Sequence, residues 1–374
     1  MHKGLIEHFE TLPDPRVDRT KRYPLNEIIL LIISGTVSGC DGWKSLKDFG
    51  EAKLEWLRKF LPYNEGIPVD DTLARVMRKL DTKAFQTCFI QWVKSVSDAT
   101  SGDVVAIDGK TLRRSHNRRD DVAAIHMVSA WSSENGLVLG QEKTAEKSNE
   151  ITAIPKLLDV LELKGCIVTI DAMGCQTAIA EKIIKKKADY VLALKGNQGN
   201  LHSEVMDYFE TALTEDFKQV QHDYFEEYDA GHGRVEYRQC WAITASADSF
   251  PSFKKWPNLK SLIMIKSRRE LRDHITEDTR FYIASIEPAA KKTLNAVRQH
   301  WGIENQLHWT LDMTFREDES RIRTEASPEN FAIMRHIALN LIKSDISRKA
   351  SVKRKRFMAA LEDDFREAII RQVI

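Results

Sequence analysis

Cysteine is scarce in this chain, and long hydrophobic runs are missing from it. The 374 residues include five cysteines, none of which forms a CxxC pair, so their spacing indicates neither a zinc site nor a disulfide framework. The longest apolar run, residues 28–33, is far shorter than the roughly 20 residues that cross a bilayer. The first residues do not resemble a signal peptide. We therefore expect a cytoplasmic protein that is not inserted in a membrane.

An excess of charge of either sign is also missing. The chain has 56 Lys and Arg residues against 55 Asp and Glu residues, which gives a formal net charge of +1 and at first argues against a nucleic-acid binder. The distribution of charge matters more than its sum. Basic clusters recur at 113–114, 185–187, 266–269 and 353–356. Most single clusters of this kind are solvated faces, but their recurrence is compatible with DNA binding.

Residues 1–97 predict an N-terminal helical domain, because their apolar residues recur at helical spacing. One predicted helix, 72–80, has a basic face made of Arg75, Arg78 and Lys79. Such a face is typical of a helix-turn-helix reader of DNA. A helical bundle with exposed basic side chains explains the pattern equally well. A short linker is predicted directly after this domain, at residues 98–102.

Strands alternate with helices from residue 103 onward. Strands are predicted at 104–108, 122–131, 136–143, 166–171 and 189–194, and helices at 149–163 and 177–187. Hairpin-linked strands followed by β-α-β units predict an α/β (α+β) fold with a mixed sheet flanked by helices, in the element order of the ribonuclease-H-like fold. The first and fourth strands are neighbours in that fold. The sheet would therefore bring Asp108 and Asp171 together.

The remaining sequence predicts an insertion, a final core helix and a tail. The predicted segments are a β-rich insertion at about 200–288, a helix at 291–311 and a basic C-terminal helical tail at 344–374. The catalytic domain would then span residues 103–343 and include the insertion.

Three carboxylates are the candidates for catalysis. Asp108 and Asp171 each close a predicted strand, and Glu304 shares a predicted helix face with mostly apolar residues. A buried acid is costly unless a cation or hydrogen bonds compensate for its lost water. Carboxylate oxygens are the ligands that Mg²⁺ or Mn²⁺ prefers, and two such ions about 3.5–4 Å apart clamp the attacking and leaving oxygens of a phosphodiester. Asp108 is expected to bridge both ions, with Asp171 and Glu304 completing one site each. Taken singly, each acid fits a strand-terminating turn or an ordinary ion pair better than a catalytic role.

Basic residues near these acids are candidate DNA contacts. Lys110, Arg113 and Arg114 follow the first aspartate and are expected to bind phosphates, with surface solvation as the alternative. His232 and Arg234 lie in a glycine-rich segment that allows close backbone approach to DNA, or that forms a plain turn.

Six short motifs occur together along the chain. They are Leu12-Pro13-Asp14-Pro15-Arg16, Ala106-Ile107-Asp108-Gly109-Lys110, Thr169-Ile170-Asp171-Ala172-Met173, Ala193-Leu194-Lys195-Gly196-Asn197-Gln198, Gly231-His232-Gly233-Arg234 and His300-Trp301-Gly302-Ile303-Glu304-Asn305. In combination they resemble bacterial insertion-sequence transposases of the DDE superfamily, close to the H-repeat-associated proteins. The resemblance spans nearly the whole chain. It implies that an oligomer cuts double-stranded DNA at transposon ends and joins it to target DNA, with Mg²⁺ or Mn²⁺ at Asp108, Asp171 and Glu304.

One departure from the family pattern affects the third acid. Related transposases often have Tyr seven and Arg four residues before the Glu, and Lys seven after it. Here those positions hold Val297, His300 and Leu311. The contacts of the missing residues would be lost, or would be made by Arg298, His300, Arg321 and Arg323. The resemblance thus implies a transposase, with a DNA-binding relic and a nuclease without strand transfer as the alternatives.

Overall fold

The computed structural model describes residues 5–97, 102–116, 123–144, 150–231, 233–245, 251–271 and 274–371. Residues 98–101 of the predicted linker and the predicted DNA contact His232 lie outside these ranges. No helix within them is long and apolar enough to cross a membrane. All five cysteines are free thiols, and four of them are buried.

Helices come first in the described part of the chain. They are α1 Leu5–Phe9, α2 Leu25–Val37, α3 Trp43–Ala52, α4 Leu54–Leu57, α5 Asp70–Lys79 and α6 Thr82–Val96. The apolar run from Ile28 to Ile33 makes α2 hydrophobic on all sides, and these side chains are fully buried. A helix of this kind has to be surrounded by other elements. Helical spacing of apolar residues also predicts a helix at 82–96, which matches the bounds of α6, and the predicted helix at 72–80 matches α5 to within two residues.

The described strands form one nine-stranded mixed sheet. They are β1 Val104–Thr111, β2 His126–Ser132, β3 Leu137–Lys143, β4 Ile167–Ile170, β5 Asp189–Leu194, β6 His222–Gly231, β7 Arg234–Thr244, β8 Ser261–Leu271 and β9 Ile275–Ala284, in the order β3-β2-β1-β4-β5-β9-β8-β7-β6. β1 is antiparallel to β2 and parallel to β4, and β4 is parallel to β5. The first five strands therefore have the ribonuclease-H-like order, which confirms the predicted fold class.

The insertion extends this sheet instead of forming a separate layer, because β9 pairs antiparallel with β5. Two of its elements were missed from the sequence: β6, which lies at an edge and is almost wholly exposed, and α9, Gly199–Thr214. An exposed edge strand needs no alternation of apolar residues, so β6 leaves no signal. The buried residues Leu201, Val205 and Phe209 do recur at helical spacing, and α9 could have been found from them.

The remaining helices cover the sheet and close the core. They are α7 Glu150–Val160, α8 Thr177–Lys185, α10 Ala290–Gly302, a π-helical turn Ile303–His308, α11 Trp309–Met313, α12 Ser327–Ser344, α13 Val352–Leu361 and α14 Asp363–Arg371. α12 packs against α2, α5, α6 and β3. Its buried Asn340 makes two hydrogen bonds with the backbone of Val138 in β3, both 2.9 Å long. N-terminal helices, C-terminal helices and sheet therefore share one core; the division at 1–97, 103–343 and 344–374 stays a prediction.

Candidate active site

Asp108 lies within β1, not at its end as predicted, and Asp171 directly follows β4 at the same level of the sheet. Ile107 of β1 is paired with Ile170 of β4, so the residues that follow them lie side by side. β4 ends at Ile170, whereas β1 continues to Thr111 and pairs there with β2. The early end of β4 exposes one edge of β1 beside Asp108. The predicted adjacency of the two strands is confirmed.

The carboxylate of Asp171 is fixed by backbone donors of the loop that it begins. Its Oδ1 accepts hydrogen bonds from the N–H groups of Met173 and Gly174, at 3.0 and 3.2 Å. Such bonds satisfy one of the two carboxylate oxygens and fix the orientation of the group.

The motif at residues 193–198 holds that loop from the other side. Asn197 donates a hydrogen bond through Nδ2 to the carbonyl oxygen of Ala172, at 2.6 Å. Gln198 donates through Nε2 to the carbonyl oxygen of Cys175, at 2.7 Å. The two amides therefore position the segment that carries Asp171, a role the sequence alone did not reveal.

Glu304 lies in the π-helical turn between α10 and α11. The predicted helix at 291–311 was expected to place Glu304 on a mostly apolar face, but its side chain is exposed. Ile303 and Leu307 are the buried residues of the turn. Glu304 lines the same cavity as Val297 and His300 of α10, so this face of the helix opens to the cavity at Glu304 and is not packed against apolar side chains there. The prediction of a buried-face glutamate is wrong for this reason.

The acids of the site act on one another. Burial raises the pKa of Asp108 to about 7, against a backbone hydrogen bond from Gly109 that lowers it. The negative charges of Asp171, Glu304 and Glu150 raise it further. Burial likewise raises the pKa of Asp171. Crowded carboxylates in a partly desolvated place favour binding of a cation.

A neighbouring histidine does not neutralise this charge. His308 Nδ1 lies 3.5 Å from Asp108 Oδ2. Burial lowers the pKa of His308 to about 3, and the positive charge of Lys110 acts in the same direction. The imidazole is therefore neutral near pH 7, and the negative charge of the acids remains available to a cation.

The donor chemistry of the site fits Mg²⁺ or Mn²⁺, which take carboxylate oxygens. Within the described ranges, however, no group of three or more His, Cys, Asp or Glu side chains is arranged to hold a metal ion. The acids are thus close enough to shift one another's pKa, but they do not form a finished coordination shell.

A cavity of about 720 Å³ opens beside Asp171 and Glu304. Lys195, Lys266 and Arg280 are among its lining residues and bring positive charge to it. Trp301 also lines the cavity; 41% of its surface is exposed, and the guanidinium of Arg280 lies 5.3 Å from the centre of its ring. The cavity has the cations and the aromatic face that bind nucleic-acid backbone and bases.

His300, which the sequence predicted to contact DNA, lines the same cavity. Its Nδ1 is 3.0 Å from Thr169 Oγ1. Burial lowers the pKa of His300 to about 4. Any contact that His300 makes with DNA is therefore a hydrogen bond from a neutral ring and not an attraction between charges.

Lys110 is enclosed by acids. Its Nζ lies 2.6 Å from Asp312 Oδ1, 2.7 Å from Glu317 Oε2 and 3.6 Å from Asp318 Oδ1. The charge of Lys110 is therefore neutralised inside the protein, and only 11% of its side chain is exposed. This arrangement corrects the prediction that Lys110 binds phosphate.

Arg113 and Arg114 are placed differently. The side chain of Arg113 is 79% exposed and its Nε is 3.2 Å from Asp318 Oδ2. Arg114 is exposed, and its carbonyl oxygen accepts a 2.8 Å hydrogen bond from Arg323 Nε. Both side chains are exposed, and their contact with DNA stays a prediction.

The two arginines of the insertion and of α10 are paired with acids. Arg234 Nε lies 2.8 Å from Glu236 Oε1. Arg298 contacts Glu227 Oε1 at 2.9 Å and Asp229 Oδ2 at 3.2 Å. Because all of these side chains are partly exposed, the pairs are weak, and a phosphate could compete for either arginine.

Two basic sets that the sequence placed far apart meet in one groove. Arg75 and Arg78 of α5 face Arg321 and Arg323, which follow α11, across a groove of about 360 Å³. Asp71 also lines this arginine groove. The sequence indicated each pair of arginines separately but gave no sign that they meet.

Glu150 and His126 were missed from the sequence. Glu150 is the first residue of α7, and His126 is the first residue of β2. Both are buried. Single polar residues at element ends have no periodicity that distinguishes them, so only the fold shows that they pair with each other next to Gly109 and Thr111.

A ribonuclease-H-like sheet that brings Asp108 beside Asp171, with Glu304 in a later helical turn, is the arrangement expected of a DDE protein. The family described as "Transposase DDE domain" matches residues 99–341, and the one described as "DDE_Tnp_1-associated" matches residues 6–93. The chain belongs to the DDE transposase family.

Relatives from Escherichia coli extend along nearly the whole chain. "Putative transposase YncI" of strain O157:H7 is 42% identical over 372 residues, which cover 98% of this chain and 94% of that protein. "H repeat-associated putative transposase YhhI" of strain K12 is 39% identical over 372 residues, with 98% of each chain covered. The predicted H-repeat-associated resemblance is confirmed.

Two other similarities are weaker, one because it covers a short stretch of the chain and one because its sequence identity is low. "Inactive transposase YbfQ" of E. coli K12 is 41% identical over 75 residues, which are 20% of this chain and 89% of that protein. The solved piggyBac transposase synaptic complex with hairpin DNA aligns with a TM-score of 0.45 and 10% identity, over 98% of this chain and 76% of that one. A likeness at that level adds nothing to the fold defined by the strand order.

Proposed function

We propose that this protein is a DNA transposase that cuts the ends of its element and transfers them to target DNA. The placement of Asp108 beside Asp171 carries the proposal, since two desolvated acids at the same level of adjacent strands are otherwise unfavourable. Glu304 supports it as the third acid, because its charge acts on Asp108.

Two divalent ions held by Asp108, Asp171 and Glu304 would activate the attacking oxygen and stabilise the leaving 3′-oxygen. The chain's own residues prepare that site. The backbone donors of Met173 and Gly174 fix the Asp171 carboxylate before any ion binds. Such fixed geometry lowers the cost of ordering the site for reaction.

The arginine groove is the proposed path of the DNA backbone toward the site. Arg75 and Arg78 belong to the helical segment at 1–97, which we propose as the DNA-binding domain, and Arg321 and Arg323 belong to the catalytic segment. Arginine forks bind phosphate oxygens in pairs. One duplex lying in the groove would therefore contact both segments, and we include Arg113 and Arg114 at its edge.

The direct test is cleavage and joining of labelled DNA that carries the flanking ends of the protein's own gene. Wild type, Glu304→Ala and the matched control Glu215→Ala, an exposed acid after α9, are compared with Mg²⁺, Mn²⁺ or EDTA. Metal-dependent end cleavage and joined products that vanish only in Glu304→Ala are expected. Nicked products without joined ones would indicate a nuclease. End binding without any cleavage by folded wild type would indicate a DNA-binding relic.

An oligomer that holds paired ends is part of the proposal on the strength of the family resemblance. The measurement is the stoichiometry of protein on one end and on two tethered ends in solution. A complex containing one protein molecule on two ends would contradict it.

A further inference from the structure

Lys195 lies on the face of the sheet that carries the side chain of Asp171. Thr169 of β4 is paired with Val191 of β5, and side chains along a strand alternate between the two faces. Lys195 directly follows β5 and keeps an extended backbone, with φ −139° and ψ −177°. The alternation that begins at Val191 therefore continues to Lys195 and places it on the face of Thr169 and Asp171.

The backbone of Lys195 is tied to the loop that begins with Asp171. Lys195 begins the turn 196–198, whose Asn197 and Gln198 donate hydrogen bonds to the carbonyl oxygens of Ala172 and Cys175. The same two amides that hold the Asp171 loop therefore also hold the base of the Lys195 side chain beside it.

The ammonium group of Lys195 has no carboxylate in contact. Lys110 is enclosed by acids, and Arg280 Nε lies 2.6 Å from Asp278 Oδ2. Among the residues that the structure describes, by contrast, no acid forms an ion pair with Lys195, whose side chain is exposed. Burial raises the pKa of Asp171, and the positive charge of Lys195 opposes that rise. Lys195 is thus a cation close to the acids that protein groups do not neutralise.

The cavity of about 720 Å³ joins this cation to the acids, because Asp171, Lys195 and Glu304 all line it. The position at which related transposases often have a lysine after the glutamate holds Leu311, which is buried. The phosphate contact of that missing lysine has to come from another element. Lys195 reaches the site from β5, on the same face as Asp171.

We infer that Lys195 is a catalytic residue that binds the phosphate at which the DNA strand is cut and joined. The inference rests on the proposed function, since it concerns the same reaction. The lysine donates a hydrogen bond to a non-bridging oxygen of this phosphate, as a compact cation does in phosphate sites.

In cleavage, the oxygen of a water molecule forms a bond to phosphorus while the bond from phosphorus to the 3′-oxygen breaks. One proton leaves the water, and one is taken up by the departing 3′-oxygen. In joining, the 3′-hydroxyl oxygen attacks a phosphate of the target in the same way. Lys195 keeps its proton throughout and stabilises the negative charge that develops on the non-bridging oxygens.

The test compares Lys195→Met, which removes the charge, with Lys195→Arg, which keeps it. Lys218→Met, at an exposed lysine beyond α9, is the matched control. Cleavage of prebound end DNA is measured in a single turnover with Mg²⁺, at saturating protein. Unfolding temperatures show that each variant is folded, which is expected because Lys195 is exposed.

We expect Lys195→Met to slow cleavage about 100-fold, the size of effect seen when one group that stabilises transition-state charge is removed. Affinity for end DNA should stay within a few-fold of wild type, because one phosphate contact is lost among many. Lys195→Arg should retain most of the rate. Replacing one non-bridging oxygen of the cleaved phosphate by sulfur should slow wild type more than Lys195→Met, for one of the two stereoisomers.

A second measurement needs neither metal nor turnover. DNA with a bromoacetyl group attached through a phosphorothioate at the mapped cleavage site is mixed in EDTA with Lys195→Cys or with Lys218→Cys. The thiol at residue 195 should be alkylated, and neither Lys218→Cys nor wild type should react at a comparable rate.

The outcomes separate this inference from the proposed function. If wild type cuts its ends and Lys195→Met cuts them within about threefold of the wild-type rate, with the same sulfur effect and no cross-link at residue 195, the inference is overturned and the proposed function stands. Slow cleavage by Lys195→Met with an unchanged sulfur effect and no cross-link would assign Lys195 to positioning of the Asp171 loop and also overturns the inference. If folded wild type does not cut with either metal, the proposed function fails and the inference fails with it.

Discussion

Lys110 Nζ lies 2.7 Å from Glu317 Oε2, and both side chains are almost completely buried. The other oxygen of Glu317 is 3.5 Å from Arg335 of α12. This ion-pair network ties β1, which carries Asp108, to the segment that follows α11. The position of Asp108 in the sheet is therefore fixed by a buried charge cluster that begins two residues further along β1, at Lys110.

Lys110→Met should destabilise the protein by about 3–5 kcal/mol, because removing one partner leaves the buried acids of the network poorly compensated. Urea unfolding measures the change, and Lys349→Met, at an exposed position, is the control. A Lys110→Met variant that is as stable as wild type but binds DNA weakly would restore the original prediction of a phosphate contact.

The same network makes stability depend on pH. Burial alone would raise the pKa of Glu317, but the positive charges of Lys110 and Arg335 outweigh it and lower the pKa from 4.5 to about 2. Since the folded state lowers this pKa, the stabilisation is complete above about pH 4.5 and is lost as the pH falls toward 2. We expect the difference in urea midpoint between wild type and Glu317→Gln to shrink over that interval. A constant difference from pH 5 to pH 3 would contradict this account.

The arginine groove predicts a change in the salt dependence of DNA binding. Arg75→Glu combined with Arg321→Glu should weaken binding, and should reduce the slope of log affinity against log salt by about 2 if each arginine contacts one phosphate. Fluorescence anisotropy at several salt concentrations measures both quantities. Lys254→Glu with Lys255→Glu, on the turn that precedes β8, makes the same charge change outside the groove. Equal effects of the two double variants would show only a general influence of charge.

Asp171→Asn tests the role of the second acid. The amide keeps an oxygen that can accept the bonds from Met173 and Gly174, so folding and loop position should be preserved. Cleavage should fall on the order of 100-fold or more through loss of metal affinity, while DNA affinity stays within a few-fold of wild type. A variant that no longer folds would instead assign Asp171 a structural role.

Asn197→Ala should affect the site indirectly, through the loop that carries Asp171. Loss of the 2.6 Å bond to the carbonyl oxygen of Ala172 costs about 1 kcal/mol of stability and releases the loop that positions Asp171. Cleavage should therefore slow while DNA affinity is unchanged. Asn200→Ala, an exposed asparagine of α9, serves as the control, and equal cleavage rates for the two variants would count against a positioning role.

The sequence was informative where structure is local. The helix α6, the strand β5 and the succession of the first five strands along the chain followed from periodicity and turns. The adjacency of Asp108 and Asp171 followed from that order, because parallel neighbours bring their C-terminal ends together.

Long-range electrostatics could not be predicted in the same way. Lys110 has the type and position of a phosphate contact, and only the fold shows that Asp312, Glu317 and Asp318 surround it. The approach of Glu150 across Gly109 depends on residues 41 positions apart in the chain (150 − 109). No spacing rule relates such residues.

The π turn at Ile303–His308 sets α10 and α11 out of phase by one residue. Val297 before the turn and Leu311 after it are both buried, so the packing of both helices depends on the rotation that the turn sets between them. The length of this segment is therefore as constrained as its composition. Deleting a single residue between Gly302 and Trp309 would restore α-helical phase. Either Glu304 or α11 would then point away from its present direction. This stretch should therefore tolerate substitutions far better than any change in its length.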